Sequence, residues 1–93
     1  MSGALHLSGT LTCTPEDLDA VLAALPEHIR LSRAEPGCLS FEVAQSAADP
    51  CVLEVSESFR NRAAFEAHQT RTRASAWWRV TAHVQRAFTV SCG

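Results

Sequence analysis

The segment EPGCLSFEV (residues 35–43) is followed at a short distance by ESFRNRAAFEAHQT (residues 57–70), and the two together decide the fold. In the first segment, Pro36 presets one backbone dihedral of a turn, and Gly37 is expected to accept a positive φ at the next position. A strand then begins, because apolar residues alternate with Ser40 and Glu42; these apolar residues are Leu39, Phe41 and Val43. The segment therefore predicts a turn that leads into a strand with one buried face.

The second segment predicts a strand that leads into a helix. Cys51, Leu53 and Val55 alternate with polar or smaller residues and form a hairpin with the preceding strand across a short loop at residues 47–50. Asn61 is a plausible N-cap for a helix that reaches about residue 70. The centre of the chain is thus a hairpin that feeds a helix.

The N-terminal third predicts a strand and an amphipathic helix. Residues 4–11 alternate with period two, which is typical of a half-buried strand. Thr14 as N-cap and Pro15 at the first helical position begin the helix. Its apolar stripe recurs at helical spacing, and Pro26 interrupts it with a kink or a tightened turn; the stripe consists of Leu18, Val21, Leu22, Leu25 and Ile29.

The C-terminal third predicts a second helical segment at residues 74–84 and a last strand at residues 86–92. In that strand Phe88, Val90 and Cys92 share one face. The element order is βαββαβ, and strands with one apolar face require helices on that side only. We therefore predict an α+β fold, a ferredoxin-like βαββαβ sandwich, as a single domain over residues 1–93.

Composition excludes several classes of function. The chain has 93 residues and a net charge of −2, and its eight basic residues are all arginines without a run, so nucleic-acid binding is not expected. No apolar run approaches the roughly 20 residues that span a bilayer, and no signal peptide is recognisable, so a soluble cytoplasmic protein without membrane contact is expected. No metal-ligand spacing or nucleotide motif occurs. The four cysteines are interpreted as reduced, small buried hydrophobes.

Two titratable residues stand out. Glu57 occupies a position that the strand alternation assigns to the helix-facing side, and His68 shares a helix face with Ala64 and Phe65. Glu57 could instead reach solvent at the strand end, and His68 could be a core histidine with satisfied hydrogen bonds. The alternative is a catalytic pair in which Glu57 orients His68 as a base.

Aromatic residues predict an apolar space between sheet and helices. Adjacent Trp77 and Trp78 point about 100° apart, so one can line the core while the other closes a pocket mouth or a subunit contact. Phe41, Phe59 and Phe65 would complete the lining, although core packing alone would also account for the tryptophans. A cavity of roughly 300 Å³ or more beside His68 would favour a ligand site.

The EPGC turn and the later series of Glu, aromatic, Ala and His resemble the antibiotic biosynthesis monooxygenase family over residues 4–88. The resemblance implies a homodimer that closes as a dimeric α+β barrel, and a cofactor-independent oxidation of a small quinol or an aromatic, polyketide-like substrate by O2. His68 and Glu57 match the family's recurrent His and Glu, so they are the expected catalytic residues. Phe59 occupies a position that is commonly Trp, and Val55 and Phe65 align with an Asn and a Tyr of characterised monooxygenases. Haem-degrading relatives use a different residue set, which is not matched here.

Two functions follow as hypotheses. The first is the cofactor-free monooxygenase, with His68 and Glu57 as catalytic residues and a substrate pocket lined by Phe41, Val55, Phe59, Phe65, Trp77 and Trp78. The second is a dimeric α+β barrel that is not an oxygenase, which binds or isomerises a small metabolite or has no catalytic role.

Overall fold

The computed structural model describes residues 3–92 and has the predicted element order, with the second helical region divided in two. A four-stranded antiparallel sheet has the order β2-β3-β1-β4, and the helices cover one of its faces. The elements are β1 (Leu5–Thr12), α1 (Pro15–Arg33), β2 (Cys38–Gln45), β3 (Val52–Phe59), α2 (Arg62–Arg73), α3 (Ala76–Thr81) and β4 (Gln85–Cys92). The ferredoxin-like α+β fold predicted from the sequence is confirmed.

Both long helices begin where the capping residues predict. The Thr14 hydroxyl accepts a hydrogen bond from the Asp17 amide at 3.3 Å, and the Asn61 side chain accepts one from the Ala64 amide at 2.8 Å. Each bond satisfies one of the amides that lack a partner in the first turn. Pro26 lies inside α1 without ending it, and α2 continues three residues beyond its predicted end at residue 70.

The core lies between the helices and the central strands. Alternate residues of β1 and β3 are buried on the helix-facing side, and this set includes Glu57. Trp77 from α3 and Val21 from α1 pack onto it. Burial of such apolar side chains contributes roughly 1.5–3 kcal/mol each.

The prediction that Leu39 shares the buried face of Phe41 is wrong. The pairing of β2 with β3 shifts register between Cys38 and Ser40, so the intervening residue turns outward. Leu39 is 61% exposed, whereas Phe41 is 1% exposed. A local bulge of this kind breaks the period-two pattern on which the prediction depended.

The apolar face of β4 is less covered than predicted. Phe88 and Val90 pair with Gly9 and Leu7 of β1, which places them on the helix-facing side, yet they are 38% and 47% exposed. Because β4 is an edge strand and the helices pack mainly on β2 and β3, this face stays open. The interpretation of the cysteines as buried holds for Cys13 only; Cys38 and Cys51 are half-buried and Cys92 is exposed, and all four are free thiols.

The turn at Pro36 is present, but the reason given for Gly37 is wrong. Among residues 3–92 the only glycine with a positive φ is Gly9. Gly37 is buried against α2, where a Cβ atom would lie 2.2 Å from Cβ of Ala64. Glycine is required at this position because helix and turn approach closely, rather than by a left-handed backbone.

Gly37→Ala is therefore expected to lower the free energy of unfolding by about 1–3 kcal/mol, the usual cost of overpacking. Urea denaturation measures it, and Gly3→Ala is the control because its nearest neighbouring atom would be 3.9 Å away. Ala64→Gly removes the methyl group that is struck, so the double variant should lose less than the sum of the two single losses. Strictly additive losses would contradict the close contact.

No helix within residues 3–92 has both the length and the apolar character that a membrane span requires.

Candidate active site

A cavity of about 240 Å³ lies between the sheet and the helices, somewhat below the roughly 300 Å³ at which ligand pockets usually begin. Its walls include six of the eight residues proposed from the sequence, namely Phe41, Val55, Glu57, His68, Trp77 and Trp78. The remaining two, Phe59 and Phe65, do not line it. Phe59 packs behind His68 with ring centroids 4.9 Å apart, and Phe65 meets the edge of Phe59 at 5.7 Å.

His68 is buried on α2, with its side chain 2% exposed, and a carboxylate holds its Nδ1 atom. That carboxylate belongs to Glu35, whose two oxygens lie 3.0 and 3.2 Å from Nδ1. Since a carboxylate can only accept, Nδ1–H donates and the Nε2 lone pair is left free in the neutral ring. The residue that orients His68 is thus Glu35 rather than Glu57.

Arg71 completes the support for Glu35. Its Nε donates to Glu35 Oε2, while its Nη2 donates to Ser32 Oγ at 2.9 Å. The guanidinium keeps the carboxylate an acceptor and prevents it from rotating away from the imidazole. Glu35 follows the end of α1 and Arg71 lies one turn beyond His68, so the α1–β2 turn is linked to α2 at this point.

Glu57 faces the other nitrogen of His68. Its Oε1 lies 3.6 Å from Nε2, beyond ordinary hydrogen-bond distance, and Thr72 Oγ1 lies 3.4 Å from the same nitrogen. Glu57 pairs with Leu7 and Phe41 in the middle of the sheet, so it cannot reach solvent as a strand end would. Only 7% of the residue is exposed.

Burial governs the protonation of these groups at neutral pH. It raises the pKa of Glu57 to about 7, and the Glu35 carboxylate adds to the shift. Burial also lowers the pKa of His68, although its contacts with Glu35 oppose the change, so the contact with Glu35 joins a neutral imidazole to a carboxylate. A neutral base and a carboxyl group near half-protonation therefore stand side by side.

Glu57 is expected to make stability depend on pH. Between about pH 4.5 and 7 the unfolded chain releases this proton while the folded protein keeps it, so stability falls as the pH rises through this window. Glu57→Gln should remove this loss. The difference in the free energy of unfolding, Glu57→Gln minus wild type, should therefore be about 2 kcal/mol more favourable to the variant at pH 8 than at pH 5.

Urea denaturation at both pH values is the measurement, and Glu54→Gln is the control because Glu54 lies on the exposed face of the same strand. The control should follow wild type. Parallel curves for Glu57→Gln and wild type would contradict a carboxyl group that is buried and protonated.

His28 is a second buried histidine at the cavity, and it is not among the residues proposed from the sequence. Its ring stacks on Trp77 with centroids 4.7 Å apart and meets Phe41 edge-on at 5.3 Å. Burial lowers its pKa to about 3, with His68 contributing, so the ring is neutral. Within residues 3–92, its Nδ1 and Glu57 Oε1 are the buried side-chain atoms without a hydrogen-bond partner.

The cavity lining includes two arginines. Arg73 and Arg86 line the cavity beside Gln69 and Trp78. Arg86 lies 4.8 Å from the Trp78 ring and donates to the carbonyl oxygens of Thr81 and Val84. These contacts fix one wall of the cavity, and Trp78 is half-buried there while Trp77 is buried, as adjacent positions on a helix predict.

The sequence positions of Glu35, Arg71 and His28 could have pointed to the site, although none of the three was proposed from the sequence. Glu35 is the first residue of the EPGC segment, and Arg71 follows His68 by one helical turn. His28 lies seven residues after Val21, hence on the same stripe of α1. Within residues 3–92 no three potential metal-ligating side chains are grouped so that they could hold a metal ion.

Known structures share this fold over nearly the whole chain. A Nitrosomonas europaea protein, provisionally named an antibiotic biosynthesis monooxygenase, has a TM-score of 0.81 at 21% identity over 100% of this chain and 92% of its own. PA3566 from Pseudomonas aeruginosa has a TM-score of 0.77 at 29% identity over 100% and 94%. A structure named antibiotic biosynthesis monooxygenase has a TM-score of 0.73 at 26% identity over 96% and 95%.

A search of curated proteins found no match. The family model for antibiotic biosynthesis monooxygenase matches residues 4–89, which is most of the sequence. That span includes all seven helices and strands apart from the last residues of β4. The chain therefore belongs to the antibiotic biosynthesis monooxygenase family.

Proposed function

We propose that this protein is a cofactor-independent monooxygenase that oxidises a small quinol or a related aromatic, polyketide-like compound with O2. One observation carries the proposal. Glu35 holds His68 with Nδ1–H engaged, and the unprotonated Nε2 atom, which lies 3.4 Å from Thr72 Oγ1, faces Glu57 in the wall of a cavity that also has eight apolar lining residues. Family membership supports the class of reaction.

The first step is proton removal. His68 Nε2 accepts the proton of a substrate hydroxyl group, and Glu57, whose pKa is about 7, relays it when the 3.6 Å separation of the two groups closes to hydrogen-bond distance in the substrate complex. A base whose pKa lies near the working pH is the most effective, and such groups contribute roughly 10²–10⁴-fold to rate. The imidazolium that forms is stabilised by the Glu35 carboxylate.

The quinolate then reduces oxygen. One electron passes to O2, the substrate radical and superoxide combine to form a C–O bond, and the peroxide loses water to give a hydroxylated quinone. The net reaction of one quinol with one O2 yields one hydroxyquinone and one H2O, so both atoms of O2 are accounted for. Leu7, Leu11, Val43 and Val55 exclude water around the reacting ring.

Oxygen dependence tests the proposal. Chelator-treated protein is incubated with a panel of hydroquinones and naphthohydroquinones, with and without O2, and each mixture is compared with the same quinol alone. Protein-dependent O2 uptake with one atom of ¹⁸O2 in the product is expected. Conversion that proceeds equally without O2 would instead assign the His68 and Glu57 pair to isomerisation, and no protein-dependent conversion would contradict both activities.

We also propose that the protein acts as a homodimer whose sheets pack face to face. The sheet face opposite the helices carries exposed polar side chains, among them His6, Ser8, Glu42, Glu54 and Thr89. His6 bonds to Ser58 on this face at 2.7 Å, so some of its polar groups already have partners within one chain and need not lose them when the face is covered. A small domain gains stability when such a face is covered.

Light scattering at micromolar concentration should therefore give twice the mass of the chain. Replacing Ser56, near the centre of the face, by arginine should shift the mass towards one chain, because two like charges would meet across a symmetric contact. Arg79→Gln on the exposed side of α3 is the control. A monomer for the wild type would contradict the dimer.

A further inference from the structure

Two cysteines outside the cavity lie opposite each other at the end of the β1–β3 ladder. The last paired residues of this ladder are Thr12 and Val52, so the next pair is Cys13 with Cys51. The Cys13 amide donates to the Cys51 carbonyl at 3.0 Å, which continues the ladder by one residue. The two residues are thus direct cross-strand neighbours although 38 positions separate them in the sequence.

Their side chains are on the same side of the sheet. Both follow the alternation of the helix-facing residues, Cys13 belongs to the core cluster, and Cys51 packs against it. The Cys13 thiol lies 3.5 Å from the Cys51 carbonyl oxygen. Directly opposed residues of a hydrogen-bonded antiparallel pair have Cα atoms about 5.5 Å apart, within the range of roughly 4.4–6.8 Å that disulfides occupy.

We propose that Cys13 and Cys51 are a site of covalent modification, which forms a cross-strand disulfide by exchange with a small-molecule disulfide such as oxidised glutathione. The other two cysteines are not placed for such a bond. Cys38 pairs with Phe59 on β3, and Cys92 pairs with Leu5 on β1.

The order of the exchange follows from exposure. Cys51 is half-buried while Cys13 is 8% exposed, and burial raises the pKa of the Cys13 thiol, with the nearby Cys51 adding to the effect. The Cys51 thiolate attacks one sulfur of the small disulfide and releases one thiol. Cys13 loses its proton to solvent, attacks Cys51 Sγ and releases the second thiol, so two protein thiols are oxidised and one small disulfide is reduced to two thiols.

The backbone next to Cys51 can accommodate this step. Its amide bonds to Asp49 Oδ1 at 2.9 Å instead of to Cys13, so the pair is joined by one ladder hydrogen bond and can adjust. The new bond would close a loop that contains α1 and β2. Closing a loop of this size stabilises the folded state, so the melting temperature of the oxidised protein should rise by about 10 °C.

The test uses the full chain with Cys38→Ser and Cys92→Ser, which leaves the pair intact. After incubation with oxidised glutathione, the intact mass under non-reducing conditions should show the loss of two hydrogen atoms without an adduct, and dithiothreitol should reverse it. Peptide mapping should join the segments that contain Cys13 and Cys51. When the Cys13→Ala substitution is introduced into this protein as well, the same treatment should instead leave a glutathione adduct on Cys51.

Three results would overturn the proposal. The first is a glutathione adduct that persists on Cys51 while Cys13 is present, and the second is a disulfide between two chains. The third is that Cys13 and Cys51 both stay unmodified under conditions in which the Cys13→Ala protein accepts the adduct. Circular dichroism before oxidation verifies that each variant is folded. The readout is a mass and does not depend on any enzymatic activity.

Discussion

His68→Gln is expected to lower kcat for quinol oxidation by about 10²–10⁴-fold, the usual contribution of a positioned general base. Glutamine has comparable bulk but cannot take up a proton at neutral pH. The packing of His68 against Phe41 and Phe59 should survive in part, so the loss should fall on the chemical step more than on folding. Initial rates of O2 uptake at saturating quinol measure kcat.

The matched control is His83→Gln. His83 is exposed and bonds to Asp17 at 2.7 Å, and neither residue lines the cavity. Its kcat should equal that of wild type. Equal rates in the two variants would show that His68 is a structural residue.

The pH profile adds a second readout for His68. The profile is taken in Glu57→Gln, which lacks the carboxyl group that titrates near pH 7. Because burial lowers the pKa of His68, the neutral base persists below the ordinary value of 6.5, and kcat of this variant should keep its plateau until the pH falls through the lowered value. A rate that halves near pH 6.5 or above would indicate that His68 is exposed to solvent in the working enzyme.

Glu35→Gln is expected to lower both activity and stability. A neutral amide no longer selects the Nδ1–H form of His68, so we expect kcat to fall by about 10²-fold or more. The change also leaves Arg71 without its carboxylate in a partly buried site, where the side chains are 29% and 17% exposed. The free energy of unfolding should fall by about 2–3 kcal/mol, less than for a fully buried pair because solvent screens part of the interaction.

Two further variants separate the roles of Glu35. Glu42→Gln removes an exposed carboxylate from Arg33 and should cost less than about 1 kcal/mol. The double variant with Glu35→Gln and Arg71→Gln removes both charges. It should therefore be more stable than Glu35→Gln alone, while its kcat stays as low. In Glu35→Gln, ¹⁵N chemical shifts of the His68 ring should show a mixture of the two neutral tautomers. If the double variant recovered kcat together with stability, Glu35 would have only a structural role.

The sequence predicted those parts of the fold and site that local periodicity controls. Alternation along β3 placed Glu57 on the buried side, and capping residues located the starts of α1 and α2. Leu39 was misplaced because a register shift cannot be recognised from a pattern of hydrophobicity alone. Gly37 was assigned a dihedral role, whereas a contact with α2 explains it.

The orientation of His68 could not be predicted in the same way. Its partner Glu35 is 33 residues away and comes next to it only when the α1–β2 turn packs on α2. Glu57 was the nearer candidate in the sequence and on the expected face. The structure places it at the opposite nitrogen, so it does not orient His68 through Nδ1.

The turn before β2 and the loop after it are expected to differ in whether they tolerate inserted residues. Glu35 belongs to the short turn between α1 and β2, whereas residues 46–51 at the far end of the strand contact neither His68 nor Glu57. Lengthening the far loop would add exposed chain and leave the site unchanged, while one inserted residue in the turn would move the carboxylate away from the imidazole. Peptide tags and reporter segments should therefore be introduced between Ala47 and Ala48, which are exposed and precede the Cys51 contacts, and libraries intended to retune the reaction should leave the length of the turn unchanged.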